Sequence, residues 1–137
     1  MPIPLQEIGH SVKRLQMRHH HAANEALAEL GITIVQWDAL RHLHQNPDAS
    51  LHDLAQLTFQ TDQSFGTLAG RMIERGLIER VPGPGRAVRH RLTDRGEQVR
   101  SAGAAMLDGV LAQSFSTLTK AELDQFGALL HRLLGTR

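Results

Sequence analysis

Five polar side chains, Thr61, Gln63, Ser64, Thr67 and Arg71, are interleaved with the apolar Phe65, Leu68, Ala69 and Met72. The apolar set recurs at steps of three and four, so burying it on a helix turns the polar set outward. Such a face has the chemistry to read a base-pair edge. A carboxamide like Gln63 can hold adenine through two hydrogen bonds, and Ser64 and Thr67 can donate to phosphate or touch a thymine methyl. Arg71 lies farther along and suits a phosphate. Downstream, the stretch from Arg71 to Arg95 carries Arg71, Arg75, Arg80, Arg86, Arg89, Arg91 and Arg95 against only Glu74, Glu79 and Asp94. A basic excess confined to one stretch is what a phosphate-contacting surface requires. The competing reading is an ordinary hydrated face, and charge alone does not separate the two.

Other chemistries find less support. The chain has no cysteine, which excludes disulfides, thiolate metal sites and thiol redox sensing. His19-His20-His21 is a conspicuous run, but consecutive helical residues point about 100° apart and do not converge on one ion. A hydrated or partly packed histidine cluster is therefore favoured over a metal site, and no metal or cofactor is expected. Ser, His and Asp are present without the spacing of a nucleophile elbow. Gly83-Pro84-Gly85 joins strand to strand and is not a phosphate loop. An enzyme is not expected.

The elements that position these residues follow from periodicity. Leu5, Ile8, Val12, Leu15, Ala22, Ala26 and Leu30 form one stripe on a long helix from about Leu5 to Leu30. Gly31 suits its C-cap. A second helix starts at Thr33, carries Val35, Trp37, Ala39, Leu40 and Leu43, and stops before Asn46-Pro47. Ser50 and Asp53 form a capping box for a short third helix. Thr61 or Asp62 caps a fourth helix, which Gly76 ends. Two short helices joined by a tight turn form a helix-turn-helix. Leu77–Val81 and Ala87–Leu92 then read as strands around Pro82-Gly83-Pro84-Gly85, a hairpin with a basic tip at Arg86. Arg89 and Arg91 share one face of it and His90 the other. Thr93 caps a fifth helix with Val99, Ala102, Met106, Leu107, Val110 and Leu111. Thr119 and Glu122 open a sixth, carrying Leu123, Phe126, Leu130, Leu133 and Leu134. Gly66 and Gly70, each costing about 1 kcal/mol relative to alanine within a helix, imply a close approach, either to DNA or to another protein helix.

This order and several strings resemble the MarR family of winged helix-turn-helix regulators. The matching segments are Gly31-Ile32-Thr33 with Gln36-Trp37-Asp38-Ala39-Leu40, Leu51-His52-Asp53-Leu54-Ala55, Arg75-Gly76-Leu77-Ile78-Glu79-Arg80, and Leu92-Thr93 through Gly96. The resemblance covers nearly the whole chain. It departs in the wing, where the family's Asp-x-Arg pair is replaced by Arg86 without an acid. It departs again at Gly66 and Gly70, where bulkier polar residues are common. The resemblance implies that the terminal helices pair across a two-fold axis and that two recognition helices and wings read a near-palindrome. It also implies a small-molecule pocket near the dimer interface, for which His19, His20, Trp37 and Arg41 are the candidates.

Bulk properties agree. The 137 residues suit one domain, with 41% hydrophobic residues and only 4% aromatic, so the core is aliphatic and helical. Net charge is +1. No signal-peptide pattern and no membrane span is visible, so a cytoplasmic location is expected. The fold expected is mainly α (α+β): a winged helix-turn-helix over 33–92, with dimerisation helices over 1–30 and 93–137. The function expected is a sequence-specific, double-stranded-DNA-binding regulator, acting as a homodimeric, ligand-responsive repressor with a small-molecule effector. DNA-binding candidates are Thr61, Gln63, Ser64, Thr67, Arg71, Arg86 and Arg89. The alternative is a constitutive DNA-architectural or protein-binding winged-helix module without ligand sensing.

Overall fold

The computed structural model describes residues 1–82, 85 and 87–136. Helix α1 (Leu5–Leu27) begins directly after Pro4 and passes into a 3-10 turn at Ala28–Leu30. It is therefore shorter than the expected Leu5–Leu30 helix. The side chain of Thr33 accepts from Gln36 N–H and the Gln36 side chain accepts from Thr33 N–H, which starts α2 (Ile34–Gln45). Asn24 of α1 accepts a further bond from Ile34 N–H at 2.8 Å. Reciprocal bonds of Ser50 and Asp53 start α3 (Leu51–Leu57). Thr61 starts α4 (Asp62–Glu74) by accepting from Ser64 N–H. Each of these caps satisfies amides that the first helical turn leaves unpaired.

Helix α4 ends at Gly76, whose φ of +72° reverses the chain. Leu77 N–H bonds back to Met72 C=O and Gly76 N–H to Ile73 C=O, which closes the helix and delivers Leu77 into the core. Strand β1 (Ile78–Val81) then pairs antiparallel with β2 (Arg89–Leu92) in the register Ile78–Leu92 and Val81–Arg89. The returning strand is shorter than the expected Ala87–Leu92. The Val88 carbonyl instead accepts Leu51 N–H, and Ser50 forms a single antiparallel bridge with Arg89. The turn end of the strand pair is thus stitched to the start of α3. Thr93 caps α5 (Asp94–Ser114), and a Thr119–Glu122 capping box starts α6 (Lys120–Leu134).

Phe65, Leu27, Leu40, Leu54, Met72 and Leu77 form the fully buried centre, with Leu107 of α5 at its margin. Helix α1 meets this core through Ala23 and Leu27, in its last two turns. Leu5, Ile8 and Val12 at the other end of α1 are exposed, whereas Leu15, Ala22, Ala26 and Leu30 are half-buried, so the protomer covers only the C-terminal part of the apolar stripe. Helix α6 has no buried residue, and Leu133 and Leu134 are 82% and 74% exposed. Among the described residues no helix is long and apolar enough to cross a membrane.

Candidate nucleic-acid interface and effector cavity

Packing orients α4. Phe65, Ala69 and Met72 are buried, which turns Gln63, Thr67 and Arg71 outward. Thr61, Gln63, Ser64, Thr67 and Arg71 line one shallow groove of about 470 Å³ together with Val35, Gln60 and Leu68. The hydroxyls are locally engaged: Ser64 Oγ donates to Gln60 Oε1 and Thr67 Oγ1 to the Gln63 carbonyl, each at 3.2 Å. The Gln63 carboxamide and the Arg71 guanidinium take no intramolecular partner among the described residues. A Cβ added at Gly66 or Gly70 would meet nothing within 4 Å. Close approach of another helix within the chain therefore does not explain these glycines, and their side of α4 is open.

Val35 and Gln60 belong to this surface although sequence periodicity did not single them out. Val35 falls on the helical stripe of α2 yet is 40% exposed. Gln60 sits just before the α4 cap and holds Ser64, while its own Nε2 donates to Thr58 Oγ1. Beside the groove, His52 Nδ1 of α3 lies 2.8 Å from Asp62 Oδ1 in the first turn of α4. The N-terminal end of α4 is positive by its peptide dipoles, and Asp62 lies close to it.

The wing residues divide. Arg89 is half-buried and its guanidinium donates to the Asp48 carbonyl, so it clasps the hairpin to the α2–α3 loop. Arg91 is exposed and faces Glu79 across the strand pair. His90 is buried between them on the opposite face, at 2% exposure. Its burial, reinforced by the nearby charge of Arg80, holds the imidazole below its ordinary pKa. Arg86 and the adjacent Gly83-Pro84 lie outside the described residues.

His19, His20, Trp37 and Arg41 come together around a second cavity of about 390 Å³, between α1, α2 and α5. Its wall is mainly apolar, from Ala23, Ile34, Leu107, Val110 and Leu111, with Gln16 and Asp108 adding polar groups. Gln16 and Asp108 carry no sequence pattern that marks them. The Trp37 indole is anchored by its N–H, which donates to the Arg100 carbonyl at 3.0 Å. The Arg41 guanidinium lies 5.7 Å from the Trp37 ring centroid and is held by bonds to Asp38 Oδ1 at 2.9 and 3.2 Å. His19 Nε2 is 2.6 Å from Ser114 Oγ, and its ring stands edge-on to Phe115, which packs in turn on Phe126 of α6. The three histidines of the run diverge: His19 to α5, His20 to the cavity, and His21 to Glu25 on the surface.

Residues 30–87 match the model of the MarR family, spanning the groove, the helix-turn-helix and the first strand of the hairpin. The HTH-type transcriptional repressors Rv2887 of Mycobacterium tuberculosis and Mb2911 of Mycobacterium bovis are each 28% identical over 110 residues. That alignment covers 79% of this chain and 79% of each relative. The crystal structure of apo MarR from E. coli superposes with a TM-score of 0.84 over 98% of this chain and 99% of that one, at 22% identity. Rv2887 in complex with salicylic acid superposes with a TM-score of 0.78, covering 96% and 97% of the two chains at 26% identity. Rv2887 in complex with DNA gives 0.80, covering 96% and 98% at 25% identity. Over residues 30–87 the chain is thus similar in sequence to the MarR family, and over nearly its whole length it shares the fold of these MarR structures.

Proposed function

We propose that this protein is a homodimeric transcriptional repressor that binds a near-palindromic duplex and releases it when a small aromatic acid enters the cavity between α1, α2 and α5. The observation that carries the reading is the α4 groove. Its outward groups match what base edges and phosphates accept, and its glycines leave room for the backbone to approach the groove floor. In this reading Gln63 meets a base edge, Arg71 a phosphate, and Arg86 the minor groove or its phosphates. Thr61 and Ser64 present the start of α4, and Arg89 sets the angle of the wing.

The dimer is supported by the exposed Leu5, Ile8 and Val12 of α1 and Leu123, Leu129, Leu133 and Leu134 of α6, a number of large apolar side chains that two terminal helices rarely leave to water on a monomer. The effector is supported by the cavity. Its apolar wall suits an aromatic ring, and His19, His20 and Arg41 suit a carboxylate. The relative Rv2887 has been crystallised with DNA, with salicylic acid and with p-aminosalicylic acid. The bond that Asn24 accepts from the first turn of α2 and the anchoring of Trp37 to α5 tie the cavity walls to α2, whose Val35 borders the α4 groove. Selection of bound duplexes from a random pool tests the reading. Enrichment of an inverted repeat is the expected result, and recovery of unbiased sequence would refute it.

A further inference from the structure

Phe59, in the turn between α3 and α4, is 98% exposed and is the one non-glycine among the described residues with positive φ, at +57°. Both properties are unfavourable for this residue type. A bulky L side chain is disfavoured in the left-handed region, and a free aromatic ring leaves its whole apolar area in water. The turn is nonetheless well defined. Thr58 N–H donates to the Leu54 carbonyl, Phe59 N–H to Gln56 and Gln60 N–H to Ala55. Thr58 Oγ1 also donates to Leu54, and Gln60 Nε2 to Thr58 Oγ1. The backbone conformation is thus imposed by the turn, where a glycine would sit without penalty. The next two residues, Gln60 and Thr61, line the α4 groove. Phe59 is therefore the chain neighbour of the first residues that line that groove, just ahead of the helix that carries Gln63.

We propose that Phe59 is a DNA-contacting residue, an apolar contact placed against the carbon surface of the duplex at the lip of the major groove. This inference rests on the proposed binding of double-stranded DNA through α4. The carbon surface there comes from thymine C5-methyl groups and deoxyribose. Both give attraction without displacing counterions, so the contact adds affinity without adding to the salt dependence. It also gives a reason for keeping a phenylalanine where the turn favours glycine.

The test compares wild-type protein with Phe59→Gly and Phe59→Leu by fluorescence anisotropy on a duplex selected by the wild type, across a salt series. Thermal unfolding runs in parallel. Phe59→Gly is expected to unfold at the same or a higher temperature, because glycine suits the turn, yet to bind about tenfold more weakly with an unchanged salt slope. Phe59→Leu keeps apolar bulk and is expected to fall between. Replacing the duplex thymines by deoxyuridine assigns the contact: lost sensitivity to Phe59→Gly places it on the methyl, retained sensitivity on deoxyribose. Wild-type affinity in a well-folded Phe59→Gly protein overturns the inference while leaving the α4 reading intact. Failure of the wild type itself to bind any duplex overturns the reading beneath it.

Discussion

The Trp37 indole occupies the space a side chain on Gly103 would need: a Cβ there would lie 2.6 Å from Trp37 Cδ1 and 2.9 Å from Nε1. Helix α5 can pass this close to α2 only without a side chain at that point. The same approach brings the Arg100 carbonyl to the indole N–H. Gly103→Ala should therefore push the indole outward and destabilise the fold by about 1–3 kcal/mol, the usual cost of overpacking. Because Trp37 lines the cavity, salicylate binding should weaken in the same protein. Thermal unfolding and calorimetric titration check the two effects, and a fully stable variant with unchanged salicylate affinity would refute the proposed packing.

Gln63→Ala and Arg71→Ala should fail in different ways. Gln63 is assigned to a base edge, so its loss should cost about 1–3 kcal/mol on the selected duplex and little on random DNA. Arg71 is assigned to phosphate, so its loss should weaken both and lower the salt slope by about one. Anisotropy titrations over a salt series separate the two. Identical slopes and proportional losses on both duplexes would show the roles to be misassigned.

Burial holds the His90 imidazole below its ordinary pKa, so the unfolded chain takes up a proton at a pH where the folded chain does not. Between the two values the unfolded state binds more protons, and stability rises with pH. The His90 contribution is complete above about pH 6.5, is lost progressively as pH falls toward the lower folded value, and changes no further beneath it. His90→Phe should flatten this part of the stability profile. Denaturant unfolding of both proteins from about pH 7.5 down to about pH 5, a range that brackets the ordinary imidazole value of about 6.5, reads the difference. An equally steep profile in the variant would show that His90 does not cause it.

Leu133 is 82% exposed, so Leu133→Asp disturbs nothing within the protomer. In the proposed dimer it places a charge against apolar surface. The variant should keep its helical circular dichroism, sediment as a monomer, and bind the selected duplex weakly. A wild type that sediments as a stable monomer at micromolar concentration would remove the basis for the dimer.

What was legible in the sequence was mostly local. The caps at Thr33, Ser50, Thr61, Thr93 and Thr119 involve residues three apart, and each helix begins directly after its cap. The inward set of α4 followed from its period, and with it the outward direction of Gln63 and Thr67. Helix α1 was harder, because one apolar stripe runs along it while the protomer covers only its C-terminal part. Val35 shows the same limit: it shares the period of α2 but lies beyond the edge of the core. The Arg89–Asp48 bond joins residues 41 apart in the chain, and no local pattern encodes it. The His19–Ser114 contact joins residues 95 apart and needs the packing of α1 on α5. The gathering of His19, His20, Trp37 and Arg41 was expected from family resemblance, whereas Gln16 and Asp108 beside them were not.

Coupling between the cavity and the α4 surface is the central claim. Its most direct test is the affinity of the wild-type protein for its selected duplex, measured by anisotropy at constant ionic strength with and without saturating salicylate. The predicted Kd is at least several-fold weaker with salicylate, corresponding to a coupling of about 1 kcal/mol or more. An unchanged Kd, with salicylate shown by calorimetry to be bound, would contradict it.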